Sequence, residues 1–131
     1  MVYKLLLVED DKEIVETLSK RLKEEGYETV IAYDGEEALV KVAQDNPDII
    51  LLDLTLPKMN GFDVLKEIRE KHKDKWRPVI IISGQTDLDS VKKGYSLEAD
   101  HYLTKPCEFE NILRGIRTMI SLIPIRKGSD S

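Results

Sequence analysis

The hydrophobic and polar residues of this chain form short apolar runs separated by stretches with helical periodicity. The predicted strands cover residues 2–8, 29–32, 49–52, 79–82 and 101–103. Two of them, 49–52 and 79–82, contain no polar residue, which is typical of parallel strands buried on both faces. Five strands alternating with five helices through short loops predict an α/β fold: a doubly wound, five-stranded parallel sheet in three layers.

The predicted helices differ in the strength of their patterns. Asp34 with Glu37 three residues later is a plausible N-cap and capping box for the second helix. The fourth helix is the weakest, because Gly94 lies inside its pattern and costs about 1 kcal/mol relative to alanine; we expect this helix to be mobile. Pro124 is expected to end the last helix, so one domain should cover residues 1–122 and a tail residues 123–131, frayed from Gly128.

Polar side chains follow four of the predicted strands. Glu9 and Asp10 follow the first strand, Asp53 the third, Ser83 the fourth and Lys105 the fifth. Ligands of open parallel sheets bind outside the carboxyl ends of the strands, so we expect these side chains to form one site.

Three carboxylates, from Glu9, Asp10 and Asp53, repel one another unless a cation lies between them. Oxygen-only ligands in an open cluster suit magnesium, or the chemically similar manganese, because these ions accept octahedral oxygen coordination and retain waters. Lys105 offers a positive charge and Ser83 a hydroxyl, which a phosphoryl group on Asp53 would need as neighbours. The chemistry therefore favours Asp53 as an aspartyl-phosphate nucleophile.

Composition narrows the class of protein. With 131 residues, 34% charged and 41% hydrophobic, the chain suits one ordinary globular domain. A net charge of -5 gives no general attraction to nucleic acid or to an anionic membrane. Cys107 is the only cysteine and no apolar stretch reaches the length of a membrane span, so we expect a cytoplasmic protein. The mixed charges of residues 66–77 predict a solvated face, and we expect Trp76 and His101 at the surface.

Four motifs together resemble the receiver domain of two-component response regulators. They are Val8-Glu9-Asp10-Asp11, the segment from Leu52-Asp53 through Leu56-Pro57 to Gly61, Ser83-Gly84, and Ala99-Asp100 with Tyr102-Leu103 and Lys105-Pro106. The resemblance covers nearly the whole chain and implies the flavodoxin-like strand order 2-1-3-4-5. The sequence departs from the family pattern at two positions: Glu98, where glycine is usual, and Cys107, where an aromatic residue is common. Both departures are expected on the output face.

The resemblance implies a role for each site residue. Asp53 would accept a phosphoryl group from a phosphohistidine on a sensor histidine kinase or a phosphotransfer protein. Asp10, Asp53 and the Thr55 backbone carbonyl would bind Mg²⁺, with Glu9 acting through water. Lys105 would contact the phosphoryl group.

It also implies a switch. Ser83 would move to hydrogen-bond the phosphoryl group, and Tyr102 would turn inward behind it. The Lys105–Pro106 peptide bond is expected to be cis. The lifetime of the phosphoryl group is expected to depend on Thr55 and Gln85.

The implied protein is a signalling domain rather than a conventional enzyme, with slow self-catalysed phosphorylation and dephosphorylation. It would act through a surface of helix 4, strand 5 and helix 5 on a downstream protein, or on an output domain that this chain lacks. It would be a monomer or a phosphorylation-dependent dimer.

Two other functions compete with this hypothesis. An aspartate-nucleophile phosphatase would share the fold, but its Asp-x-Asp pattern is replaced by Asp53-Leu54-Thr55. A flavodoxin-like carrier needs a phosphate loop after the first strand, where Glu9-Asp10-Asp11 would repel phosphate.

Overall fold

The computed structural model describes residues 2–128 and places a parallel sheet between two layers of helices. Its strands are β1 (Lys4–Val8), β2 (Glu28–Ala32), β3 (Ile49–Leu52), β4 (Val79–Ser83) and β5 (His101–Thr104). They are all parallel and lie in the order β2-β1-β3-β4-β5. The predicted fold class and the flavodoxin-like strand order are confirmed.

The helices are α1 (Lys12–Glu24), α2 (Gly35–Asp45), α3 (Gly61–Lys66), α4 (Leu88–Ser96), α5 (Phe109–Ile120) and α6 (Ile123–Gly128). A π-helical turn, Glu67–Lys71, continues α3. The predicted cap of α2 is present, since Asp34 Oδ1 accepts a hydrogen bond of 2.8 Å from the Glu37 N–H. None of the helices within residues 2–128 combines the length and hydrophobicity that crossing a membrane requires.

The sheet has a hydrophobic core on each face, which is why its central strands are apolar except for Lys4 at the start of β1 and Ser83 at the end of β4. Alternate residues of β1 divide between the two cores: Leu6 and Val8 face α2, α3 and α4, while Leu5 and Leu7 face α1 and α5. Strands β3 and β4 alternate in the same way. All three strands are therefore apolar on both faces, as in other parallel sheets covered by helices.

The expectation of a solvated face over residues 66–77 is wrong for two arginines. Arg69 is 2% exposed and Arg77 is 4% exposed. Arg69 donates to the backbone carbonyls of Glu98 at 3.1 Å and Asp74 at 2.8 Å, and it forms an ion pair of 3.0 Å with Asp100. These bonds satisfy the guanidinium group in the interior, as burial of a charge requires.

Arg77 is satisfied in a similar way. It pairs with Asp74, and it donates to the Pro47 carbonyl at 2.5 Å and to Asn46 Oδ1 at 2.6 Å. Burial lowers the pKa of Arg77, while the Asp74 carboxylate acts in the opposite direction. Residues 66–77 thus supply internal ion pairs at the amino ends of the strands.

The segment expected as a tail also differs, because residues 123–128 form α6. Ile123 is buried in the core between the sheet and α5. Arg126 forms an ion pair with Asp100 at 2.5 Å, and Lys127 lies over the half-buried ring of Trp76 at 4.0 Å. The helix is thus attached to the domain through both apolar and charged contacts. Residue 1 of the predicted domain and residues 129–131 of the predicted tail lie outside the described residues.

Candidate functional site

The carboxyl ends of β1, β3, β4 and β5 meet at one edge of the sheet, and the polar residues that follow them are fixed by strand-like hydrogen bonds. The Asp53 N–H donates to the Val8 carbonyl at 3.0 Å, and the Lys105 N–H donates to the Ser83 carbonyl at 2.8 Å. Backbone geometry therefore positions Asp53 and Lys105 before their side chains interact.

Glu9, Asp10 and Asp53 form an acidic cluster at this edge. One carboxylate oxygen of each residue lies within 4.8 Å of the other two. Glu9 and Asp53 are buried, while Asp10 is exposed. Three carboxylate oxygens within 4.8 Å of one another, one of them from an exposed residue, form a donor set that fits a hard divalent cation such as Mg²⁺.

Lys105 balances part of this negative charge. Its Nζ lies 3.2 Å from Asp53 Oδ2 and also forms an ion pair with Glu9 Oε1. Burial alone would lower the pKa of Lys105, but the hydrogen bond to Glu9 and the charges of Asp53 and Glu9 outweigh it and raise the pKa. Lys105 is therefore a fixed positive charge beside Asp53 at neutral pH. The peptide bond between Lys105 and Pro106 is cis.

The loop after β3 packs closely on Asp53. The Thr55 N–H donates to Asp53 Oδ1 at 3.3 Å. A side chain at Gly61 would place its Cβ 2.4 Å from the Asp53 carbonyl oxygen, so only glycine fits there. Gly61 ends one of the four motifs quoted above, but its close approach to Asp53 depends on the folded loop and could not be seen from the motif.

Ser83 and Tyr102 lie behind the acidic cluster. Ser83 is fully buried, and its Oγ accepts from the Gln85 N–H at 3.1 Å. Tyr102 is 9% exposed, and its hydroxyl donates to the Gln85 carbonyl at 2.5 Å. Burial raises the pKa of Tyr102. The structure thus holds Tyr102 inward.

Helix α4 lies against the ring of Tyr102, and Gly94 is the reason that it can. A Cβ on Gly94 would lie 2.9 Å from Ile81 Cδ1 and 3.2 Å from Tyr102 Cδ2. The glycine that weakens the helical pattern is therefore required for close packing. Exposed apolar side chains lie on the same helix, Leu88 at 65% and Tyr95 at 46%.

Helix α4 begins at an N-cap, Asp87, that was not predicted from the sequence. Asp87 Oδ2 accepts from the Ser90 N–H at 3.0 Å, and Asp87 Oδ1 accepts from Ser90 Oγ at 2.9 Å. These bonds lower the pKa of Asp87. The signal was available, since an aspartate three residues before a serine at a helix start is a typical N-cap arrangement.

Cys107 lies in a groove between α1 and α5 that opens beside Asp53, rather than on the expected face of α4, β5 and α5. The groove is lined mainly by apolar side chains, among them Leu18, Phe109 and Ile112. Arg21 lies over the ring of Phe109 at 4.0 Å. Cys107 packs with the core beneath this groove.

Comparison with known proteins gives consistent matches. A family model described as the response regulator receiver domain matches residues 5–117. The transcriptional regulatory protein CpxR of Klebsiella pneumoniae is 41% identical over 118 residues, which cover 89% of this chain and 49% of that protein. The response regulator ArlR of Staphylococcus saprophyticus is 36% identical over 121 residues, which cover 92% of this chain and 54% of that protein. The chain therefore spans about half the length of these curated relatives.

A solved structure agrees with the family match. The chemotaxis response regulator CheY4 of Vibrio cholerae superposes with a TM-score of 0.84 and 30% sequence identity, covering 91% of this chain and 99% of that one.

Proposed function

This chain belongs to the response regulator receiver domain family, and on that premise we propose that Asp53 accepts a phosphoryl group from a phosphohistidine. The donor would be a sensor histidine kinase or a phosphotransfer protein. The proposal rests on the position of the Asp53 carboxylate. Its Oδ2 lies 3.2 Å from Lys105 Nζ, and one of its oxygens lies within 4.8 Å of a carboxylate oxygen of Glu9 and of Asp10. A nucleophile between a fixed cation and a candidate metal site suits phosphoryl transfer, which depends mainly on positioning and charge stabilisation.

The transfer forms one bond and breaks one. A carboxylate oxygen of Asp53 attacks the phosphorus atom and forms an O–P bond. The N–P bond of the donor histidine breaks, its electron pair remains on the imidazole nitrogen, and that nitrogen takes up a proton from solvent. Lys105 stabilises the negative charge on the phosphoryl oxygens.

The metal ligands would be Asp10, Asp53 and the Thr55 backbone carbonyl, with Glu9 acting through water. Mg²⁺, when bound, would supply positive charge that offsets the carboxylates and the phosphoryl oxygens. Mn²⁺, which has similar ligand preferences, would serve as well. In this arrangement Glu9 mainly holds Lys105 through their ion pair.

The output is proposed to be a change in the surface of α4, β5 and α5, with Ser83 and Tyr102 as the switch. Phosphorylation adds about -1.5 to -2 charges at pH 7, which favours an arrangement with the Ser83 hydroxyl at the phosphoryl group. The exposed Leu88 and Tyr95 of α4 offer apolar contacts to a downstream protein, to an output domain outside this chain, or to a second copy in a phosphorylation-dependent dimer.

We place the receiver domain in residues 1–122, as a phosphoacceptor in the cytoplasm with only slow self-catalysed phosphorylation and dephosphorylation. Segment 123–131 would follow it, with α6 attached through Ile123 and Arg126.

The experiment is phosphorylation with acetyl phosphate and Mg²⁺, followed by intact-protein mass spectrometry. The parent should gain one phosphoryl group, and Asp53→Asn should gain none. Asp11→Asn is the matched control, because Asp11 Oδ1 only accepts N–H groups at the start of α1 and asparagine keeps that acceptor. Equal labelling of Asp53→Asn and the parent would overturn the proposal.

A further inference from the structure

The main chain of Gln85 binds both residues of the proposed switch. Its N–H donates to Ser83 Oγ at 3.1 Å, and its carbonyl accepts from the Tyr102 hydroxyl at 2.5 Å. A hydroxyl at the edge of the core needs partners, and the Gln85 carbonyl is the acceptor for the O–H of Tyr102 in the inward position, with the Ser83 hydroxyl as a second hydrogen-bonding neighbour. The orientation of the Gln85 backbone therefore determines whether the inward Tyr102 hydroxyl has this acceptor.

The side chain of Gln85 fixes that orientation by joining two other elements. Its Nε2 donates to Thr55 Oγ1 at 3.3 Å, and its Oε1 accepts from Ser90 Oγ at 3.1 Å. The Ser90 hydroxyl has one hydrogen, which it can donate to Gln85 Oε1 or to Asp87 Oδ1 but not to both. When it donates to Asp87, the amide in the opposite orientation donates from Nε2 to Ser90 Oγ and accepts from the Thr55 hydroxyl, so the bridge keeps two hydrogen bonds. Ser90 is itself held by Asp87. Gln85 thus links the loop after β3 to the first turn of α4.

We propose that Gln85 is a positioning residue whose amide bridge between Thr55 and Ser90 holds Tyr102 inward before phosphorylation. The inference rests on the proposed function, because it gives Tyr102 a role in the switch. If Tyr102 already lies inward before phosphorylation, the conformational change that follows phosphorylation costs less free energy. Gln85 therefore sets how readily Asp53 modification is converted into a change at α4.

The first test measures Tyr102 without any phosphorylation. The protein is labelled with 3-fluorotyrosine, and Tyr102→Phe identifies the ¹⁹F resonance of Tyr102. Gln85→Met keeps the length of the side chain but removes its polar atoms, and it should move this resonance towards solvent-exposed tyrosine. Ser90→Ala should shift it in the same direction. Ser96→Ala is the control, because it removes a serine hydroxyl from the far end of α4, where Ser96 Oγ donates to the Lys93 carbonyl.

An unchanged Tyr102 resonance in Gln85→Met would overturn the proposal. A fall in the urea midpoint of Gln85→Met with that resonance unchanged would also overturn it, because the residue would then only support the loop. A shifted resonance with a midpoint near that of the parent supports the positioning role.

The second test titrates beryllofluoride, a phosphoryl mimic, in the presence of Mg²⁺. Gln85→Met should bind it about five- to tenfold more weakly than the parent, the effect of losing roughly one net hydrogen bond. Ser90→Ala should weaken beryllofluoride binding less when it is made in the Gln85→Met variant than when it is made in the parent. The reason is that both changes break the same bridge.

The two proposals fail differently. If the parent does not bind beryllofluoride while the Tyr102 resonance still responds to Gln85→Met, the proposed phosphoacceptor function fails and the positioning role stands. If the parent binds it and Gln85→Met binds equally well, the positioning role fails.

Discussion

Replacing Asp100 with alanine removes the carboxylate that joins three elements at the amino ends of the strands. Asp100 Oδ2 accepts from Arg69 Nη2 at 3.0 Å and from the Val79 N–H at 2.8 Å, while Oδ1 pairs with Arg126 at 2.5 Å. In Asp100→Ala the buried guanidinium of Arg69 keeps its two carbonyl partners but loses its counter-charge. The expected result is a large decrease in the free energy of unfolding.

The magnitude follows from these contacts. Removing one partner of a buried ion pair costs about 3–5 kcal/mol, and the pair with Arg126, whose side chain is 28% exposed, adds only about 0–1 kcal/mol. We expect a total loss of about 4 kcal/mol. With a urea m-value of about 2 kcal/mol/M, the midpoint should fall by roughly 2 M. Asp100→Asn should lose less, because its side-chain oxygen can still accept from the Val79 N–H.

The assay is urea unfolding followed by the fluorescence of Trp76, the only tryptophan in the chain, and by far-ultraviolet circular dichroism. Coincident transitions justify a two-state free energy. Combining Asp100→Ala with Arg69→Leu should recover part of the loss, because no uncompensated charge then remains buried. A loss below about 1 kcal/mol, or a double variant less stable than Asp100→Ala, would refute the reasoning.

Two further predictions test packing and ionisation. Gly94→Ala should lower the melting temperature, because its Cβ would lie 2.9 Å from Ile81 Cδ1 and 3.2 Å from the Tyr102 ring, and both side chains are buried. Overpacking of a core costs about 1–3 kcal/mol, against roughly 1 kcal/mol gained in helix propensity. A higher melting temperature would contradict this prediction and show that Ile81 moves aside. Burial raises the pKa of Cys107, so at pH 8 its thiol should react with a disulfide reagent more slowly than that of an unstructured peptide. The pH profile of that rate should have its inflection above the ordinary value for cysteine, and a rate equal to that of the peptide would show that the thiol is not buried.

The fold and much of the site could be predicted because they depend on local patterns. Uninterrupted apolar runs identified the buried strands, and the strand-end rule for parallel sheets placed Asp53 and Lys105 at one edge. The Asp34 cap needed only the spacing to Glu37. Each of these inferences uses residues close together in sequence or a general property of the fold.

The features that were missed depend on contacts between distant segments. Arg69 lies among exposed charges, and its burial follows from Asp100, which is far along the chain. Gly94 has the same helix-weakening effect in any sequence, and only the packing of α4 on Tyr102 shows why it is needed. Leu122, Ile123 and Ile125 form a short apolar stretch interrupted by Pro124, too short to predict that α6 would dock.

Strand β4 connects the two charged regions of the molecule, with the Asp100 network at its first residue, Val79, and Ser83 of the candidate site at its last. Four residue steps along a strand span roughly 13 Å, beyond the range of roughly 7–10 Å within which mutational effects couple strongly. Changes in stability from the two regions should therefore add. Some variants of Asp53 or Gln85 could prove too unstable to purify. They could be studied together with a stabilising substitution near Asp100, at the amino ends of the strands, which would leave the chemistry of the candidate site unchanged.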